Sequence, residues 1–239
     1  MNRQSQAAVL FLLGAALLHA GTTDLYLRYV KSGLRPLLLA SGAILIVTAL
    51  ATALYERRRA RQEQEGDGHT HPEPRISWLL VLPLLALILV APPALGSYSA
   101  TRTGTALQEP LAYPALPATG PLRLSLVDYA GRAVYDHGRT LAGREVQVTG
   151  FVALDHGGTP YLIRMALNCC AADAQPVKVA LTGHIPPVLQ PDTWLTVTGT
   201  YTPRRVADPV NDGPIPFLEV TSAKPVPAPR DPYDESWNN

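Results

Sequence analysis

The chain has 239 residues, of which 47% are hydrophobic and only 16% charged, and its formal net charge is +1. A soluble domain carries about a quarter charged residues, so this chain is short of charge, and its balance excludes both a strongly basic nucleic-acid binder and a chain disordered throughout. Two cysteines are too few for a disulfide scaffold or an all-cysteine zinc site.

The apolar residues are concentrated near the N-terminus. Residues 1–95 read as an α-helical membrane anchor with three predicted spans, at about 7–29, 37–55 and 76–95. Leu37–Tyr55 and Ile76–Leu95 are free of charge, and each is long enough for a hydrocarbon core of about 30 Å. The first segment is weaker. Ala7–Leu18 follows Arg3 and could be the core of a secretory signal, but Leu18 and His19 fit a small-x-small cleavage site badly, so the run reads as an uncleaved span. Asp24 then marks the membrane boundary.

Basic residues orient the spans. Arg3, Arg57, Arg58, Arg59, Arg61 and Arg75 lie on one side and Arg28, Lys31 and Arg35 on the other, which predicts a cytoplasmic loop at 56–75 and a C-terminal part outside the cytoplasm. Pro92 and Pro93 end the third helix. Residues 96–121, rich in Ser, Thr, Gly, Pro and Ala, read as a linker.

From 122 to 226 the pattern becomes that of strands. Glu145–Leu154, Tyr161–Leu167, Val177–Leu181, Trp194–Tyr201 and Pro216–Val220 are predicted strands, preceded by a helix within Ser125–Tyr135. Gly150 and Gly199 fall inside strands, where glycine marks bends or bulges. Five short strands with such bends predict an all-β small barrel like the oligonucleotide/oligosaccharide-binding (OB) fold. Residues 101–239 carry 11 Lys/Arg against 13 Asp/Glu, so the basic groove that single strands require is absent and nucleic acid is not an expected partner. Residues 227–239 read as a polar tail.

Asn168-Cys169-Cys170-Ala171-Ala172-Asp173 contains both cysteines of the chain, directly after a strand. Thiolates suit zinc or copper(I), and Asp173 offers an oxygen from the same turn, with His156 or His184 as candidate fourth ligands. Alternatively the pair is redox-active, since thiols outside the cytoplasm tend to oxidise; or one cysteine packs in the core and the other is incidental.

At this motif the chain resembles a family. The C-C-x-A-D-A signature of Cys169–Ala174 before P-V-x-V, the R-P-x-L of Arg35–Leu38, and Pro92, Pro93 and Gly96 resemble the YcgQ-like bacterial membrane proteins, described as permease subunits. The resemblance implies a subunit working beside a larger multi-span permease. It brings no transported substrate and no catalytic residue, and it carries over only Cys169, Cys170 and Asp173, as matching motif positions.

His69 and His71 form a second, weaker metal candidate in the loop after the second span. Asp136-His137 and Asp155-His156 read as turn residues, and Arg57–Arg59 with Arg61 as a membrane-surface anchor. The leading expectation is therefore a non-enzymatic accessory subunit of a membrane permease, anchored in the lipid bilayer, whose outer OB-like domain binds a soft metal ion or the partner. The rivals are a membrane-tethered thiol redox protein or sensor, and a purely structural partner-binding membrane protein.

Overall fold

The computed structural model describes residues 3–63, 75–155 and 157–235. The chain divides into two compact units, Met1–Tyr26 with Ser32–Pro93, and Leu27–Lys31 with Ala94–Asn239.

In the first unit, α1 (Arg3–Thr22) packs against α2 (Arg35–Glu63). Both are long and apolar enough to cross a membrane. Their axes approach closely because Gly14 and Gly42 face each other: a Cβ on Gly14 would lie 2.9 Å from the Gly42 carbonyl oxygen. Small residues at such crossings let helices pack without a hydrophobic driving force. Arg35 Nε donates to Gly21 O at 2.8 Å, and Arg3 pairs with Glu56 at 3.1 Å. The threonine hydroxyls of α2 bond back along the helix, Thr48 to Ile44 O and Thr52 to Thr48 O. That leaves Leu37, Ile44, Val47, Leu50 and Leu54 as an exposed apolar surface.

Three expectations change here. The first span ends at Thr22, seven residues before the expected 29, because the Thr22 and Thr23 hydroxyls take up the last carbonyls, those of Leu18, His19 and Ala20. The third stretch is no single helix of spanning length. Arg75–Leu80 is a 3₁₀ turn and α3 (Val81–Leu89) has nine residues. Pro83 has no amide to donate to the Leu79 carbonyl and clashes with it, which breaks the α-helical ladder at that point, and Pro92 and Pro93 bar extension. Two helices of spanning length are present among the described residues, not three. Finally, the expected loop 56–75 begins as helix, since α2 runs to Glu63.

The second unit holds α4 (Ser97–Arg102), β1 (Leu122–Arg123), α5 (Leu126–Val134), β2 (Glu145–Leu154), β3 (Pro160–Leu167), β4 (Gln175–Gly183), β5 (Trp194–Ala207), β6 (Pro214–Pro225) and β7 (Tyr233–Glu235). The strands pair in the order β2-β5-β6-β4-β3, and β3 pairs back with β2, closing a five-stranded barrel. All its pairings are antiparallel except β4–β6. β1 and β7 add parallel edges beside β2 and β3.

The two strand glycines sit where the barrel bends. A Cβ on Gly150 would stand 2.7 Å from Ile163 O, and one on Gly199 would collide with Glu219 O, beside a bulge in β5. Alternation sends Val146, Val148, Val152, Leu162, Val179 and Val197 inward. α5 covers the barrel with Leu126, Tyr129 and Ala130, and Tyr129 Oη donates to Phe217 O at 2.6 Å. Ser125 caps α5 through a 3.0 Å bond from the Asp128 amide, worth about 1 kcal/mol.

The second unit is also larger than expected. The stretch read as a linker carries α4, its Ala100 fully buried against Phe151 and Ile163, and the Asp192 carboxylate accepts the Ser97 amide and hydroxyl. The stretch read as a tail contains β7. There Asp234 pairs with the buried Arg164 at 2.9 Å and accepts the Leu126 amide at 3.1 Å.

Candidate functional site

The connection from β3 to β4 is a seven-residue loop, Asn168–Ala174, whose ends are set by the Ala166–Gln175 pairing. A single 3₁₀ turn, Ala171–Asp173, folds it. Two alanines let the turn close tightly, and Asp173, third in that turn, reaches back across it. Its Oδ1 accepts the Asn168 amide at 2.9 Å; its Oδ2 accepts the Cys169 amide at 2.9 Å, the Cys170 amide at 3.3 Å and the Cys169 thiol at 2.9 Å. One carboxylate thus organises the backbone of the whole motif, as a short polar side chain does at a helix N-terminus.

The result brings the three expected ligands together. Cys169 Sγ, Cys170 Sγ and a carboxylate oxygen of Asp173 all lie within 4.8 Å of one another. Cys169 is exposed, and Cys170 and Asp173 are half-buried. Thiolates bound at about 2.3 Å in a tetrahedral zinc site stand about 3.8 Å apart, and two thiolates flanking copper(I) in line stand about 4.5 Å apart. Both separations fall inside the 4.8 Å limit within which the three atoms lie. Of the four bonds the carboxylate accepts, three fall on Oδ2 and one on Oδ1, so a metal that displaces the thiol proton relieves Oδ2 of one of them.

The electrostatics agree with a resting thiol rather than an activated one. The hydrogen bond to Asp173, then the neighbouring Cys170, slight burial and the adjacent negative charge push the Cys169 thiol up to about 11. Burial alone would raise the Asp173 carboxyl, but the Cys169 thiol and the three amides outweigh it and hold the group below its ordinary value. Both cysteines are free.

The histidine candidates do not join this cluster among the described residues. His184 is exposed at the end of β4, with its amide donated to Val220 O. His69, His71 and His156 lie outside the described residues. Asp136 accepts bonds from Thr140 and Arg139, and Asp155 from the Thr159 amide, each closing a turn.

The sequence did not point to a neighbour of the motif. Val30 forms an antiparallel bridge with Cys170; Lys31 N donates to Cys169 O at 3.0 Å, and Ala171 N to Tyr29 O at 2.8 Å. Leu27–Lys31 belongs to the same compact unit as the motif. The only trace of this in the sequence is the aromatic and β-branched pair Tyr29-Val30, a strand signal two residues long.

Residues 125–234 match the family described as the DUF1980 C-terminal domain. That stretch runs from the cap of α5 to β7 and contains the whole cysteine loop. A search of curated proteins found no match, and neither did a search of solved structures.

Proposed function

We propose that this protein is a membrane-anchored accessory subunit of a permease, whose barrel domain binds a soft metal ion, zinc or copper(I), outside the cytoplasm. The observation that carries the proposal is the convergence of Cys169 Sγ, Cys170 Sγ and an Asp173 oxygen within 4.8 Å on an exposed loop. The ion supplies the Lewis acidity and the thiolate affinity; the chain supplies a pre-folded loop. Asp173 fixes the backbone of both cysteines, and as the ion displaces the Cys169 proton to solvent, the Oδ2 position that the thiol occupied is open to the ion. Among the described residues the loop offers two sulfurs and one carboxylate oxygen beside open solvent, a shell with room for exchange with a partner's ligands. That suits hand-over of an ion better than storage.

The permease partner rests on the family resemblance, and the domain match fits that family. The OB-like assignment rests on the strand order, a closed five-stranded barrel with a single parallel pair. Placement outside the cytoplasm rests on two features. The first is that Arg3, the arginines Arg57, Arg58, Arg59 and Arg61 in the last turns of α2, and Arg75 outnumber Arg28, Lys31 and Arg35 between the end of α1 and the start of α2. The second is that Leu27–Lys31, in the stretch with fewer basic residues, makes its backbone bonds within the barrel unit, in support of the same placement. The chain then returns through the uncharged stretch around α3. Its uncharged part, Ile76–Leu80 of the 3₁₀ turn with α3, extends about 24 Å, against a hydrocarbon core of about 30 Å that thins locally to meet short segments.

The thiol-enzyme reading has less support, because a reactive cysteine needs a lowered pKa and Cys169 is pushed up. Metal analysis of the full chain, purified in detergent under reducing conditions and loaded with zinc, tests the proposal. About one retained equivalent in the wild type and none in Cys169→Ser/Cys170→Ser supports it; equal content in both overturns it.

A further inference from the structure

Neighbouring residues in an extended chain direct their side chains to opposite faces, and Cys170 is extended, with φ −153° and ψ 168°. Two adjacent cysteines therefore present their sulfurs to one ion only if the backbone around them is held in a particular bend. Asp173 supplies that hold from inside the loop. A second hold comes from far away in the sequence. Lys31 N–H donates to the carbonyl just before Cys170, and Tyr29 O accepts from the amide just after it, so the bridge through Val30 grips Cys170 from both flanks.

The gripping segment is itself anchored. Tyr233 Oη, in β7, donates to Arg28 O at 3.0 Å and accepts from Leu95 N at 3.1 Å, and Lys31 Nζ pairs with Glu235 at 3.1 Å. Glu235 is well exposed in that pair, so the ion pair adds little and the backbone bonds do the holding.

We infer that the connector Leu27–Lys31 is a positioning part of the metal site: Tyr29 O and Lys31 N–H fix the Cys169–Ala171 backbone so that both thiols meet one ion, and an ion there in turn tightens the connector. The inference rests on the metal reading proposed above. Coupling between two sites is reciprocal, so whatever the connector adds to ion affinity, the ion returns as connector stability.

The test uses the full chain in detergent with zinc as the probe, competed against a chromophoric chelator. Lys31→Pro removes the donated N–H, while Lys31→Ala keeps it and loses only the exposed ion pair. The expected result is affinity lowered about fivefold or more in Lys31→Pro and within about twofold of wild type in Lys31→Ala. Hydrogen exchange on the wild-type chain serves as a second reading that needs no variant: zinc should slow the Lys31 and Ala171 amides about fivefold or more. Zinc bound equally by wild type and Lys31→Pro, or zinc bound without slowing of those amides, overturns the inference and leaves the metal site standing. Failure of the wild type to bind zinc or copper(I) overturns the metal reading, and this inference falls with it.

Discussion

Asp173 Oδ2 accepts the Cys169 thiol at 2.9 Å while the same carboxylate gathers the amides of Asn168, Cys169 and Cys170. Loop structure and thiol protonation are therefore set by one side chain. Asp173→Asn keeps a carbonyl oxygen to accept backbone amides and removes the negative charge. The variant should bring the Cys169 thiol down from about 11 toward the free-thiol value of about 8.5. Alkylation rates measured across pH check this, with an inflection that moves to lower pH as the expected outcome. An unmoved inflection would mean that Asp173 does not hold the proton.

Lys178 and Asp208 form an ion pair at 2.8 Å with side chains 5% and 0% exposed, and Asp208 also accepts the Thr105 amide. Asp208→Ala leaves the ammonium buried without a partner and should cost about 3–5 kcal/mol. Thermal denaturation of the full chain is expected to show a midpoint about 10–20 °C lower. Lys178→Met/Asp208→Leu, which removes both charges, should recover much of that loss.

Acid should act through three turns. Burial raises the carboxyls of Asp136, Asp155 and Asp173, but hydrogen bonds from Thr140 and Arg139, from Thr159, and from Cys169 with its neighbouring amides outweigh it, so all three sit below 3.8. Their contribution is present above the unfolded value and is lost as pH falls through the lowered folded values. Asp128 has the opposite sign: burial outweighs Arg132 and raises it, so its contribution is present below 3.8 and is lost as pH rises through the folded value. Tryptophan fluorescence during acid titration should show no loss of structure until below about pH 4.

Cys169 is exposed, and both cysteines of the chain lie in the one loop. A membrane-impermeant maleimide applied to intact cells at about pH 8.5 should therefore label the chain, slowly at Cys169 because its thiol is pushed up to about 11, and zinc added beforehand should protect it. Labelling that appears only after lysis would place the domain inside.

Much of the barrel was legible in the sequence because its strands alternate and its core is local to that alternation: Val146, Val148 and Val152 in β2, Leu195 and Val197 in β5. Gly150 and Gly199 were legible as bends because a strand has few other uses for glycine. Hydropathy located the apolar stretches but counts residues without regard to Pro83, so it overstated the third helix. Burial of Ala100 and Thr105, the pairing of β7, and the grip of Val30 on Cys170 come from irregular or very short segments with no period to detect. The ligands were legible because Cys169, Cys170 and Asp173 fall within five residues of one another, whereas the connector that holds them is remote in the chain.

X-ray absorption at the zinc edge of the loaded full chain tests the central claim most directly. The account predicts two sulfur scatterers at about 2.3 Å, lost in Cys169→Ser/Cys170→Ser. A shell of nitrogen and oxygen alone at about 2.0–2.1 Å, unchanged in that variant, would contradict it.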